Sequence, residues 1–210
     1  MTMWKRSAAC AWLAWAGLAS AATTGVEAEM SARSLTLDFE QAMAIFDNAP
    51  VRAVSVSPAV PMTCTWADDH TLDCAADRGH AFPQATGFEI RIAPGLHRAD
   101  GAALGGIRLQ AETDRPSLDA RIVDWTDGRP VLRIEPDLPT TADAIARVLE
   151  LRAGDRVWGA LDVAALPPPT SPWEQPAFRV ALPPDLPSDT VVALHMRAGL
   201  VSTAGPLPSI

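Results

Sequence analysis

Apolar residues alternate with polar ones in short runs along most of this chain, and Gly, Pro and Asp separate the runs. Leu35, Leu37 and Phe39 alternate with Thr36 and Asp38, and Val54 and Val56 follow up to a stop at Ser57-Pro58. Phe88, Ile90 and Ile92 form a third run, and Ile107, Leu109 and Ala111 a fourth after the Asp100-Gly101 turn. Period-two alternation bounded by turn residues predicts half-buried strands. The same reading predicts strands over Leu118–Trp125 and Val131–Glu135, with an Asp127-Gly128 turn between them, and over Val148–Leu151, Arg156–Val163, Ala177–Leu182 and Thr190–Met196. One helical segment interrupts them, Ala142 to Val148, with Thr140 or Thr141 as its cap and Asp143 near its positive end. Gln41 to Asn48 fits a short helix or a loop. The pattern therefore predicts an all-β fold.

A longer period lies on top of this one. After Phe88, Ile90 and Ile92 come Gly95-Leu96 and then Gly101; after Val192, Leu194 and Met196 come Gly199-Leu200 and then Gly205. Both glycine pairs are 104 residues apart. About 100 residues make one small β-sandwich, so the repeat predicts two tandem modules, residues 35–114 and 115–210, meeting at Asp114-Arg115-Pro116. The strand at Ile107–Glu112 has its counterpart 104 positions on, past Ile210, which predicts a second sandwich without its last strand and with an open sheet edge.

Met62 to Cys74 carries the most specific local signal. Asp68-Asp69-His70 read as turn residues, and pairing Trp66 with Leu72 across that turn sets Cys64 opposite Cys74. A disulfide between Cys64 and Cys74 is the expectation in an oxidising compartment. Zinc coordination by Cys64, His70, Asp73 and Cys74 fits four-ligand spacing poorly, and the pair is not a Cys-x-x-Cys redox motif.

Lys5-Arg6, the apolar run Ala8–Leu18 and the small residues Ala19-Ser20-Ala21 read as a secretory signal over residues 1–21, with an uncleaved anchor as the alternative. Cys10 falls within the discarded segment. Residues 22–34 show no periodicity and read as a flexible leader. The destination is the periplasm or the exterior, and no other transmembrane segment is predicted. A formal net charge of −8 argues against nucleic acid. Nineteen prolines and thirteen glycines suit short strands and turns.

Chemistry is sparse, and no catalytic, cofactor-binding or metal-binding residues are assigned. His70, His80, His97 and His195 have no nucleophile motif beside them, and Gly-x-Ser-x-Gly is missing. His195 falls on the outward phase of its strand. Asp68-Asp69, Asp185 and Asp189 read as solvated loop acids, and Asp119, Asp124 and Asp127 follow no EF-hand spacing. Gly105-Gly106 precedes no helix and makes no phosphate cradle. Trp66, Trp125, Trp158 and Trp173 read as packing residues before sugar-stacking ones.

The series Ser57-Pro58-Ala59-Val60, Cys64 to Cys74 with its tryptophan, Pro83-Gln84-Ala85-Thr86-Gly87, Pro94-Gly95-Leu96 and Asp100-Gly101 resembles the N-terminal Ig-like domain of bacterial alpha-2-macroglobulin-like proteins. Thr113 to Pro116, Leu132 to Pro136 and Ala142 to Val148 are similar to the macroglobulin-type domain that follows it there. The resemblance implies Ig-like or macroglobulin-type sandwiches and a periplasmic protease inhibitor, with this chain as its N-terminal portion or a truncated form. The family's thioester motif does not transfer: Glu174-Gln175 follow Pro172-Trp173, and no cysteine occurs after Cys74. The Pro-rich stretch Leu166–Pro176 reads as a connecting loop rather than a bait segment. The expectation is a non-enzymatic scaffold that contacts a protease or an envelope protein. The alternative is an envelope binding module acting through loops or an open edge, including self-association by strand addition; an unrecognised small hydrolase ranks third.

Overall fold

The computed structural model describes residues 25–47, 51–126, 129–159, 161–168, 176–186 and 191–210, with the backbone alone at 123–126, 129 and 130. The signal segment, the Asp127-Gly128 turn, Trp173, Glu174-Gln175, Asp189 and most of the Pro-rich stretch lie outside the described residues. What is described is all-β, in antiparallel sheets with one short helix.

The first sandwich faces two sheets together. One has the order β1-β2-β5-β4, from β1 (Val26–Met30), β2 (Ser34–Phe39), β4 (Met62–Trp66) and β5 (Thr71–Ala76). The other has the order β3-β6-β7, from β3 (Val54–Ser57), β6 (Gly87–Ile92) and β7 (Ile107–Glu112). Alternate residues of both meet in one core: Leu35, Leu37, Leu72 and Cys74 from the first, and Val56, Phe88, Ile90 and Ile92 from the second. Phe82 packs edge-on against Phe88 with ring centroids 5.8 Å apart.

β1 corrects the expectation of a flexible leader over residues 22–34. It pairs along its whole length with β2, Val26 opposite Phe39 and Met30 opposite Leu35. Val26 and Met30 are buried while Glu27 and Glu29 stay exposed. The alternation was present in the sequence but weak, because its central inward position is the small, half-buried Ala28.

The second sandwich has its own core. β8 (Leu118–Thr126), β9 (Arg129–Pro136), β12 (Asp162–Ala165) and β13 (Phe178–Ala181) make a sheet of order β12-β13-β9-β8. β10 (Leu149–Ala153), β11 (Arg156–Trp158) and β14 (Ala193–Met196) make one of order β11-β10-β14. Ile134, Phe178 and Val180 from the first sheet pack with Leu149 and Leu151 from the second and with Ile145 and Val148 of α1 (Ala142–Val148). Thr141 is the N-cap, its side-chain oxygen accepting from the Ala144 N–H at 3.2 Å. The single strand expected over Arg156–Val163 is two strands in different sheets, β11 beside β10 and β12 beside β13.

The 104-residue repeat is visible in the backbone. Gly95 and Gly199 both take positive φ, 122° and 104°, where a side chain is strained. The leucine after each is buried, Leu96 at 4 % and Leu200 at 0 % exposure. Leu96 O accepts from Leu104 N at 2.7 Å, and Leu200 O accepts from Ser209 N at 2.8 Å. The second pair of glycines is not equivalent. Gly101 has φ 83° in a turn, whereas Gly205 is absent from the positive-φ positions and serves the seam between the modules.

Candidate interaction surface

The sequence-predicted cysteines meet as expected. β4 and β5 pair with Trp66 opposite Leu72 and Cys64 opposite Cys74, and Cys64 and Cys74 are disulfide-bonded, with Cα atoms 3.9 Å apart. Asp68 closes the hairpin: its Oδ1 accepts from the N–H of His70 at 2.8 Å and of Thr71 at 2.7 Å. Those two donors favour the ionised carboxylate and hold its pKa below the ordinary value. Trp66 packs on Phe39 with centroids 5.4 Å apart, and its buried indole N–H has no hydrogen-bond partner among the described residues.

The other candidate chemistry is spread over unrelated places. The His70 Nδ1 lies 3.0 Å from the Phe39 carbonyl. His80 and His97 are exposed, and His195 is exposed opposite Glu150 across the β10–β14 pair. Asp119 is exposed, and the side chains of Asp124 and Asp127 lie outside the description. Among the described residues no three His, Cys, Asp or Glu side chains are grouped to hold a metal ion. No helix among them is long and apolar enough to cross a membrane. Asp185 is more than a solvated loop acid: it accepts from the Trp158 indole N–H at 3.1 Å and from the Arg156 guanidinium, which also lies 4.6 Å over the Trp158 ring. The separation of 27 residues between Trp158 and Asp185 hides this from any local pattern.

The most constructed part of the surface is the seam between the modules. Thr113, 1 % exposed, follows β7 and braces the Pro83–Thr86 loop: its hydroxyl donates to the Pro83 carbonyl at 2.8 Å and accepts from the Thr86 N–H at 3.1 Å. This holds Ala85, fully buried, at φ 47°, a left-handed conformation unusual for a residue with a side chain. The Ala85 N–H donates to Asp114 O at 3.0 Å, and its carbonyl accepts from the Leu207 N–H at 2.7 Å. Residues 199–209 thus act as a strap. On one side Thr203 N donates to Pro139 O at 2.8 Å and the Thr140 hydroxyl to Val201 O at 2.8 Å. On the other, Arg115 donates to Pro208 O at 2.9 Å while two of its nitrogens donate to Glu112 at 2.7 Å each.

No family model, curated protein or solved structure matches the chain.

The segments that carried the resemblance have a physical account of their own. Pro83–Gly87 and Thr113–Pro116 are the two loops that receive the strap, and Gly205 fits against the first of them because it has no side chain. A Cβ there would enter the van der Waals envelope of Gln84 O and lie 2.7 Å from Ala85 O and 2.8 Å from Thr86 Oγ1. Near the far end of the second module, buried Glu150 accepts from Arg152 and lies 3.7 Å from Arg197, so two guanidiniums cover the one carboxylate beside β14.

Proposed function

We propose that this chain is a non-catalytic scaffold exported to the cell envelope, contributing the N-terminal Ig-like and macroglobulin-type modules of an alpha-2-macroglobulin-like protease inhibitor. The observation that carries the reading is the strap: it bonds to the first module at Ala85, to Arg115 at the junction, whose guanidinium also holds Glu112, and to the second module at Pro139 and Thr140, so a load on one module passes to the other. A scaffold that positions a trapping apparatus needs such a joint, because flexibly tethered modules would not hold contact surfaces in register. The disulfide in the first module suits an oxidising compartment. The test incubates the chain lacking residues 1–21 with serine, cysteine and metalloproteases and follows both peptide-substrate cleavage and complexes that persist on native gels. Retention or slowing of at least one protease is the expected result. If none is retained or slowed, the inhibitor role is wrong.

A further inference from the structure

The loops at one end of the first module enclose a cavity of about 170 Å³. Three of its lining residues are apolar and buried, Phe39, Met43 and Leu104 at 4 %, 3 % and 6 % exposure. Its polar side chains are those of Glu40, Gln41 and Arg98. Main-chain bonds fix the walls. Glu40 N–H donates to Gly25 O at 2.8 Å, Met43 N–H to Asp69 O at 2.7 Å, and Leu104 N–H to Leu96 O at 2.7 Å. Met43 and Arg98 are bridge partners, and next to them Ala99 N–H donates to Ala42 O at 2.8 Å. The cavity is therefore preformed, and a ligand entering it avoids the cost of ordering loops.

Two opposite charges share this lining. The Glu40 carboxylate lies against Gly25, where a Cβ would be 3.2 Å from its Oε2. Arg98 is half-buried. Among the described residues neither Glu40 nor Arg98 makes an ion pair. A guanidinium offers a planar, bidentate seat for a carboxylate, and a carboxylate accepts from an ammonium group. The same two charges discriminate: a dicarboxylate is repelled by Glu40 and a diamine by Arg98. Size narrows the choice further. Benzene fills a cavity of about 150 Å³, so this one admits about six to eight non-hydrogen atoms. Nucleotides and sugar chains are too large.

We infer that this cavity binds a small free α-amino acid, of the size of alanine, serine or threonine. The ligand's carboxylate pairs with Arg98 and its ammonium group with Glu40, while its side chain rests on Phe39, Met43 and Leu104. The inference concerns the first module alone and is independent of the inhibitor reading.

The test titrates the full 210-residue chain with L-alanine, L-serine and L-threonine by isothermal calorimetry. Saturable one-to-one binding of at least one of them is expected. For that amino acid, the amide lacks the carboxylate and the corresponding 2-hydroxy acid lacks the ammonium group, at unchanged size. Each analogue binds at least tenfold more weakly, and L-tryptophan does not bind. In the protein, Arg98→Gln weakens the amino acid at least tenfold but leaves the amide within twofold. Glu40→Gln weakens the amino acid at least tenfold but leaves the 2-hydroxy acid within twofold. Melting curves check that both variants fold, and the analogue arms do not depend on them. Absence of saturable binding overturns the inference. So does a 2-hydroxy acid or an amide that binds as tightly as the amino acid, since the site would then read one charge and not two.

Discussion

Replacing Gly205 with alanine isolates the seam, because it adds one carbon where the strap meets the first module. The new Cβ would overlap Gln84 O and crowd Ala85 O and Thr86 Oγ1. Two of these are backbone oxygens, and the Thr86 hydroxyl is itself tied to Gln84 O at 2.9 Å, so none moves freely. Overpacking of this kind costs about 1–3 kcal/mol. The conformation of Gly205 is open to alanine, so the stiffer unfolded chain returns about 0.4–1 kcal/mol. The cost also has a ceiling, since the strap can lift instead. Lifting forfeits the Leu207–Ala85 bond, about 1 kcal/mol, and the Arg115–Pro208 bond from a charged donor, about 1.5–3 kcal/mol. The net expectation is about 1–2 kcal/mol, roughly a 5- to 30-fold shift toward the open joint. Urea denaturation should show a lower midpoint, and limited proteolysis should show faster cutting within residues 201–208. Gly105→Ala is the control, since its Cβ would meet nothing within 4 Å and its φ is not positive. Arg115→Ala acts on the same joint, so combining it with Gly205→Ala should cost less than the sum of the two. A Gly205→Ala protein with an unchanged midpoint and unchanged cleavage would refute the strap.

Three further outcomes follow from local geometry. Replacing both Cys64 and Cys74 by alanine removes a bridge spanning 10 residues and should lower stability by about 2–3 kcal/mol in urea, with reductant reproducing the loss in the unaltered chain. Thr141→Ala removes the helix cap and should cost about 1 kcal/mol by thermal melting. The hydrogen bond from Arg115 holds the Glu112 carboxyl below its ordinary pKa. A depressed folded-state pKa gives stability that is present above the unfolded-state value and is lost as pH falls through the folded one. The stability difference between the unaltered chain and Glu112→Gln should therefore be full near neutrality and vanish in acid below the usual carboxylate range; a difference that stays constant with pH would show that Glu112 acts through packing instead.

The parts of this fold that the sequence made legible are those fixed by neighbours along the chain. Alternation found β2, β3, β6, β7 and β9, and the turn residues between Cys64 and Cys74 set a register that the structure reproduces. One of the two candidate caps, Thr141, starts α1. Elements whose partners are distant were missed or misdrawn. β1 is stabilised by β2 and by burial of Val26 and Met30, and its own residues carry a faint pattern. β11 and β12 looked like one strand because their separation into two sheets is decided by β10 and β13. Asp185 gained its role from Arg156 and Trp158, and the left-handed Ala85 from a threonine 28 residues away. No local propensity encodes such contacts.

The two glycine pairs separate what a repeat can and cannot say. Gly95 and Gly199 share a spacing and also a cause, since both bend the chain through positive φ before a buried leucine. Gly101 and Gly205 share the spacing alone. Gly101 turns between two segments of its own module, while Gly205 leaves room for the carbonyls of another. The divergence has a structural reason: Gly101 and Ala102 bond to Arg98 within the first module, whereas the corresponding stretch of the second, Gly205 to Leu207, lies on the Pro83–Thr86 loop and anchors there through the Leu207–Ala85 bond. The strap that joins the modules is thus built from the segment which, in the first module, leads into the strand covering β6. One rearrangement of one repeated unit accounts for the bonded seam.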